Sequence, residues 1–122
     1  MLDGENVLLR HIAGIDPIAT SHGVGEKRVV ATGDEVGAPI TQIARTRLKA
    51  GDRVEVHVHP TMDEHFFFLE GECLISIDGV VRCCEAEDYL FIPATHAHAI
   101  EVKKDTLIIT IGIAICSKSI SD

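Results

Sequence analysis

Short runs of β-branched and aromatic residues, each stopped after a few positions by glycine, proline or aspartate, set the folding choices of this chain. The clearest punctuation is Asp78-Gly79 between Cys73–Ile77 and Val80–Cys84. Both central residues of a type I′ turn need positive φ, so an Asp-Gly step between two apolar runs predicts a tight antiparallel hairpin. Further strands are expected over 6–10, 27–31, 40–48, 54–59, 66–69, 89–92, 98–102 and 107–113, with Lys49-Ala50-Gly51-Asp52 and Pro60 as breaks. Pro60 cannot donate to a central ladder. No stretch carries the periodicity of an amphipathic helix. Residues 12–26, rich in Gly, Ser, Thr, Asp and Pro, read as a loop or short helical turn. Many short strands at regular spacing predict an all-β antiparallel barrel or sandwich.

At 122 residues the chain has room for one domain, 1–122, with N-terminal strands and loop over 1–35 and a barrel core over 40–115. Its hydrophobic content of 46% is that of a folded globule rather than a disordered chain. There is no Trp, and all four Phe and the one Tyr lie between Phe66 and Tyr89-Leu90-Phe91, so the aromatic wall of any pocket comes from that stretch. The formal net charge of −8, with no Lys/Arg cluster, argues against a nucleic-acid partner. Leu107–Ile115 is too short to span a bilayer, so no membrane partner is expected. The start of the chain lacks the basic and apolar regions of a secretory signal, and a cytoplasmic protein is expected. Cys73, Cys83, Cys84 and Cys116 are then expected as reduced thiols. A Cys83–Cys84 disulfide is disfavoured because neighbouring strand residues point to opposite faces.

Chemistry concentrates in the histidines. His57-Val58-His59 places two imidazoles on one face of a strand. After the turn at 60–63, Glu64 begins the next strand, sharing a face with Phe66 and Phe68. His98 comes from a strand far along the chain, and only a closed or nearly closed sheet brings it to the other three. Three neutral imidazoles and a carboxylate suit one first-row divalent ion, Zn, Ni, Fe or Mn, and leave coordination positions free for water or a chelating molecule. His65 is out of phase with Glu64 and is expected on the outer face. His96, in phase with His98, is expected either at the mouth of the pocket or as a substitute ligand. Arg45 and Arg47 alternate on one face of the 40–48 strand and Gln42 lies on the other. Either set is a candidate for holding a substrate, since parity alone does not say which face points inward.

Residues 51–71 resemble the first signature motif of the cupin superfamily: glycine, five residues, His-x-His, three or four residues, Glu, six residues, glycine. Here Gly51, His57, His59, Glu64 and Gly71 occupy every fixed position. Residues 87–102 resemble the second motif at Pro93 and His98, while Glu87, Thr95 and Val102 stand where that motif has two glycines and an asparagine. Thr95 implies a turn different from the usual one near the metal. The resemblance implies a jelly-roll barrel (a double-stranded β-helix), a metal on His57, His59, Glu64 and His98, and a homodimer. It leaves three functions open: a metal-dependent dioxygenase, decarboxylase, lyase or isomerase acting on a small polar molecule, with Glu64 as ligand or as base; a non-catalytic binder of a small-molecule ligand; or a barrel with a structural metal. In the first two, Phe66 and Phe68 line the pocket.

Overall fold

The computed structural model describes residues 7–115. Its elements are a 3-10 turn Ile12–Gly14, β1 Ile18–Ala19, β2 Glu26–Thr32, α1 Gly33–Val36, β3 Ile40–Leu48, β4 Arg53–His57, β5 Met62–Ile77, β6 Val80–Glu85, β7 Tyr89–Ile92 and β8 His98–Ala114. All strand pairs are antiparallel. β5 and β8 run side by side over their full length and form the spine. The first half of β5 is flanked by β7 and its second half by β6. The second half of β8 is flanked by β3, which continues to β2 and β1, and its first half by β4. The architecture is the antiparallel jelly roll that the cupin resemblance implied, within the barrel-or-sandwich class expected from the strand spacing. Phe66, Phe68, Cys73, Ile75, Ile92, Ile100, Val102 and Ile108, all buried, fill the space between its two halves together with Leu48, Val54 and Cys84.

Two pairs of expected strands are single elements. Residues 66–69 and 73–77 belong to β5, and 98–102 and 107–113 belong to β8. Gly71 reads as a strand terminator, yet the ladder passes through it by register shifts between Phe68 and Cys73. Gly71 has φ +101°, and a Cβ there would lie 2.3 Å from Thr106 Oγ1 and 2.4 Å from Asp105 O. Only a residue without a side chain lets the two strands bend together at this point. Asp78 and Gly79 have φ +51° and +83°, as the hairpin reading requires.

The N-terminal region departs from expectation. Residues 7–10 of the expected 6–10 strand lie in no strand, and position 6 is outside the described residues. Arg10 instead sends its guanidinium to Val30 O and to the Glu35 carboxylate. Glu35 belongs to the short helix α1, which opens with a capping box: Thr32 caps the Glu35 backbone and Glu35 accepts from the Thr32 N–H at 3.1 Å. Four residues are too few to show a helical period in sequence. Cys73, Cys83 and Cys84 are free, and Cys116 lies outside the described residues. No helix among the described residues is long and apolar enough to cross a membrane.

Candidate metal centre and its cavity

β4 delivers the first histidine by an irregularity. Val54 pairs with Ile100 and His57 with His98, so three steps on β4 oppose two on β8. This bulge turns both Val54 and His57 inward despite their odd spacing. β4 ends at His57, so His59 lies just beyond the strand rather than within it as its parity suggested. Hydrogen bonds bring it in: the Thr95 N–H donates to His59 O at 2.8 Å, and the Ala94 N–H donates to Asp63 Oδ1 at 2.8 Å. These two bonds tie the loop after β4 and the start of β5 to the loop before β8, and so bring His59 beside His98. Thr95 has φ +75° and Glu87 φ +72°. The two non-glycine residues of the second motif therefore keep a glycine-like backbone, and the turn expected to differ at Thr95 does not move His98 away.

The three histidines converge. One nitrogen from each of His57, His59 and His98 lies within 4.8 Å of the others. Glu64 Oε1 stands 3.4 Å from His59 Nε2 and 3.3 Å from His98 Nε2. His57 Nδ1 lies 2.8 Å from Glu55 O, and His98 Nδ1 lies 3.0 Å from His96 O. A carbonyl only accepts, so each Nδ1 carries the proton and each Nε2 presents its lone pair to the centre. Glu64 Oε1 is buried and has no hydrogen-bond partner. Lone pairs on nitrogen and a carboxylate oxygen facing one another need either a proton or a cation between them. Burial is the largest single influence on both Glu64 and His98 and opposes charge on each. Contact between the two, with the neighbouring imidazoles, outweighs it, so Glu64 lies below the usual carboxylate range and His98 above the usual histidine range. Burial, with the charges of His57 and His98, holds His59 below its ordinary value despite the attraction of Glu64. The donor set fits a divalent cation: three imidazole nitrogens of fixed tautomer or orientation and one oxygen lacking a partner.

A cavity of about 100 Å³ opens on this cluster, walled by Gln42, Thr46, Phe66, Ile108 and Thr110, with His22 and Lys27 also lining it. β3 presents Gln42, Ala44, Thr46 and Leu48 to the interior, as the pairing of Thr46 with Ile108 and Gln42 with Gly112 requires. Arg45 and Arg47 take the opposite face of β3 and do not line the cavity; the parity left open in the sequence resolves in favour of Gln42. Phe66 forms the aromatic wall. Phe68, 1% exposed, lies beneath it in the core, ring centroids 6.2 Å apart, and does not reach the cavity. His96 also lies outside the cavity: it precedes β8, so strand parity does not apply, and its Nδ1 pairs with Asp78 Oδ2 at 2.5 Å. His65 faces outward, hydrogen-bonded to the Tyr89 hydroxyl at 2.6 Å and stacked on that ring.

His22 was not legible in the sequence. It sits at the rim in the β1–β2 connection, its ring centroid 6.0 Å from that of His57. Its Nδ1 is engaged within the turn, 3.0 Å from Thr20 Oγ1 and 3.3 Å from the Val24 N–H, which leaves Nε2 for the cavity. Burial, then His57, holds its pKa below the ordinary histidine value. A second depression of about 200 Å³ lies among Arg53, Glu55, Leu74 and Glu101 and brings no metal-ligating cluster together.

Comparison with known proteins agrees with this fold. The solved structure of a predicted oxalate decarboxylase from Thermotoga maritima superposes with a TM-score of 0.80 at 21% identity, covering 88% of this chain and 100% of that one. Ectoine synthase from P. lautus superposes with a TM-score of 0.77 at 16% identity, covering 91% and 80%. Among curated proteins, the polyketide synthase CurC of Streptomyces cyaneus is 28% identical over 74 residues, 61% of this chain and 48% of that protein, so the chain spans about half the length of this relative. The family described as "Cupin domain" matches residues 44–112, which include both histidine motifs and all of β3 to β7 after Ile43. With that match over more than half its length, and with the jelly roll beneath it, the chain belongs to the cupin family.

Proposed function

We propose that the chain is a metal-dependent enzyme acting on a small polar acid, with one divalent ion held by His57, His59, Glu64 and His98. The observation that carries this reading is the buried Glu64 Oε1, without a hydrogen bond and within 3.4 Å of two imidazole nitrogens. Zn, Ni, Fe and Mn all accept such a donor set. The bound ion would supply a Lewis acid for a carboxylate or carbonyl. Glu64 is assigned as ligand rather than base, because its Oε1 is enclosed by the imidazoles. Gln42, Thr46 and Thr110 offer uncharged hydrogen bonds that orient a guest, and Phe66 excludes water from one side of it. His22, with Nε2 left for the cavity, is the group placed to take or give a proton at the guest. This second polar group beside a Lewis-acid site favours catalysis over simple binding. The small cavity excludes a large guest.

The test is elemental analysis of protein purified without an affinity nickel column, followed by a turnover screen with small 2-oxo and 2-hydroxy acids. One ion per chain, turnover abolished by chelator, and a loss of about 10²-fold or more in kcat for His22→Gln with metal retained are expected. Binding without turnover identifies a non-catalytic binder. A metal-free protein that remains metal-free on titration rejects the reading.

A further inference from the structure

Lys27 lies outside both histidine motifs, on β2, and its neighbours set its direction. Its Cα partner is Thr46 on β3, and directly opposed residues of an antiparallel pair share a face. Thr46 is buried and faces the interior, so Lys27 does too, and it lines the same cavity as His57, His59, Glu64 and His98. The adjacent Arg28 takes the other face and gives its guanidinium to Ala13 O and Ile15 O. The Lys27 ammonium has no hydrogen bond or ion pair among the described residues. Two strands, β3 and β8, separate β2 from β5, which carries Glu64, so Lys27 and the metal cluster occupy different walls of one cavity.

We propose that the cavity takes a small two-ended dianion, one end on the metal cluster and the other held by the Lys27 ammonium. This rests on the metal reading above. A divalent ion offset by the single carboxylate of Glu64, together with Lys27, leaves two positive charges in the cavity of a chain whose formal net charge is −8. A monoanion balances one of them and a dianion both, and in a confined site an unbalanced charge is costly. Gln42 and Thr46 lie on the β3 wall between the two ends and suit a hydroxyl or oxo group on the connecting carbons. The cavity volume of about 100 Å³ restricts that connection to a few carbons. The distal anion is a carboxylate, or a phosphate bound as its monoanion. Lys27 is therefore a specificity-determining residue.

Three 2-hydroxy acids separate these alternatives by calorimetry: 2-hydroxybutanoate, which has no distal anion, malate, with a distal carboxylate, and 3-phosphoglycerate, with a distal phosphate. Each is titrated into metal-loaded protein, chelator-stripped protein, Lys27→Met and Lys27→Arg. Metal-loaded wild type should bind malate or 3-phosphoglycerate at least about tenfold more tightly than 2-hydroxybutanoate, the scale of one charge-assisted contact. The tighter of the two names the distal group. Lys27→Met should erase the preference while leaving metal content unchanged, and Lys27→Arg should restore part of it. A preference that survives Lys27→Met, no preference at all, or no binding of any acid to metal-loaded protein overturns the anchor while the metal site stands. If Lys27→Met does not fold by circular dichroism, Lys27→Gln reads the same ratio. Absence of metal from wild type, with malate bound equally well after chelator treatment, overturns the metal reading and the two-ended mode with it.

Discussion

Replacing Glu64 by Gln keeps the size of the side chain and removes the one anionic donor from the cluster. An ion bound only to the folded state stabilises it by about 2.7 kcal/mol when its free concentration is 100 times the dissociation constant. For a chain of this length 1 kcal/mol corresponds to about 4 °C in Tm, so metal should raise the wild-type Tm by about 11 °C under those conditions. If loss of the carboxylate weakens binding about 100-fold, the same free concentration only half-saturates the variant and contributes about 0.4 kcal/mol, or about 2 °C. The metal-free proteins should differ far less. Oε1 makes no hydrogen bond, and its approach to His98 and His59 is long, so the substitution costs at most about the value of one ordinary hydrogen bond, ~1 kcal/mol. Scanning calorimetry of both proteins, with chelator and with metal buffered at a fixed free concentration, measures all four values. A wild type indifferent to metal, or a Glu64→Gln protein keeping the full increment, would refute the assignment of Glu64 as a ligand.

Three other outcomes follow from the fold. Gly71→Ala should cost about 3 kcal/mol or more, because a Cβ would meet Thr106 and the Asp105 carbonyl at 2.3 to 2.6 Å, whereas Gly51→Ala, at φ +92° with nothing within 4 Å, should cost only the ~1 kcal/mol of a left-handed backbone; denaturant unfolding compares them. Glu35 is held down to about 2, first by its hydrogen bond to Arg10, so it stabilises the fold above its usual pKa of 4.5 and that contribution is lost as pH falls toward 2; the Tm of Glu35→Gln should lie below wild type at pH 7 and the two curves should converge across that interval. Phe67, Tyr89, Ile111 and Ile113 form an apolar depression on the outer face beside His65, and self-association through it should give a dimer at micromolar concentration in sedimentation, lost in Phe67→Glu.

Strand existence was legible wherever alternation met a strong turn, as at Asp78-Gly79, and failed where the same punctuation had another use. Gly71 and the polar residues Lys103-Lys104-Asp105 look like the ends of strands, but they sit opposite each other at the bend where β5 and β8 cross from one half of the jelly roll to the other. One residue without a side chain and a polar run on its partner are what a continuous bent ladder needs, and a local reading cannot tell that from a stop. The N-terminal segment failed for a different reason. Arg10 is fixed by partners at Val30 and Glu35, 20 and 25 residues away, which no local pattern records.

The candidate site divides along the same line. His57, His59, Glu64 and His98 were readable because each occupies a fixed place in a motif, whose glycine positions record backbone geometry. Glu87 and Thr95 show this from the opposite side: they lack the glycines of the second motif yet adopt φ of +72° and +75°, accepting a strained backbone. At Thr95 the gain is visible, since its N–H holds His59 O and thereby one imidazole against another. The rest of the cavity has no such frame. Gln42 and Arg45 could not be ordered by parity until β8 had been placed beside β3, because a one-residue change of register exchanges the two faces. His22 and Lys27 come from a hairpin whose loop reads as Ser- and Gly-rich turn, and they meet the metal cluster across three neighbouring strand pairs. The motif residues thus define a centre that any member of the family could share. Apart from Phe66, the residues able to choose among guests lie on the wall that the motifs do not cover, where Gln42, Thr46 and His22 stand with a lysine aimed inward by its pairing with Thr46.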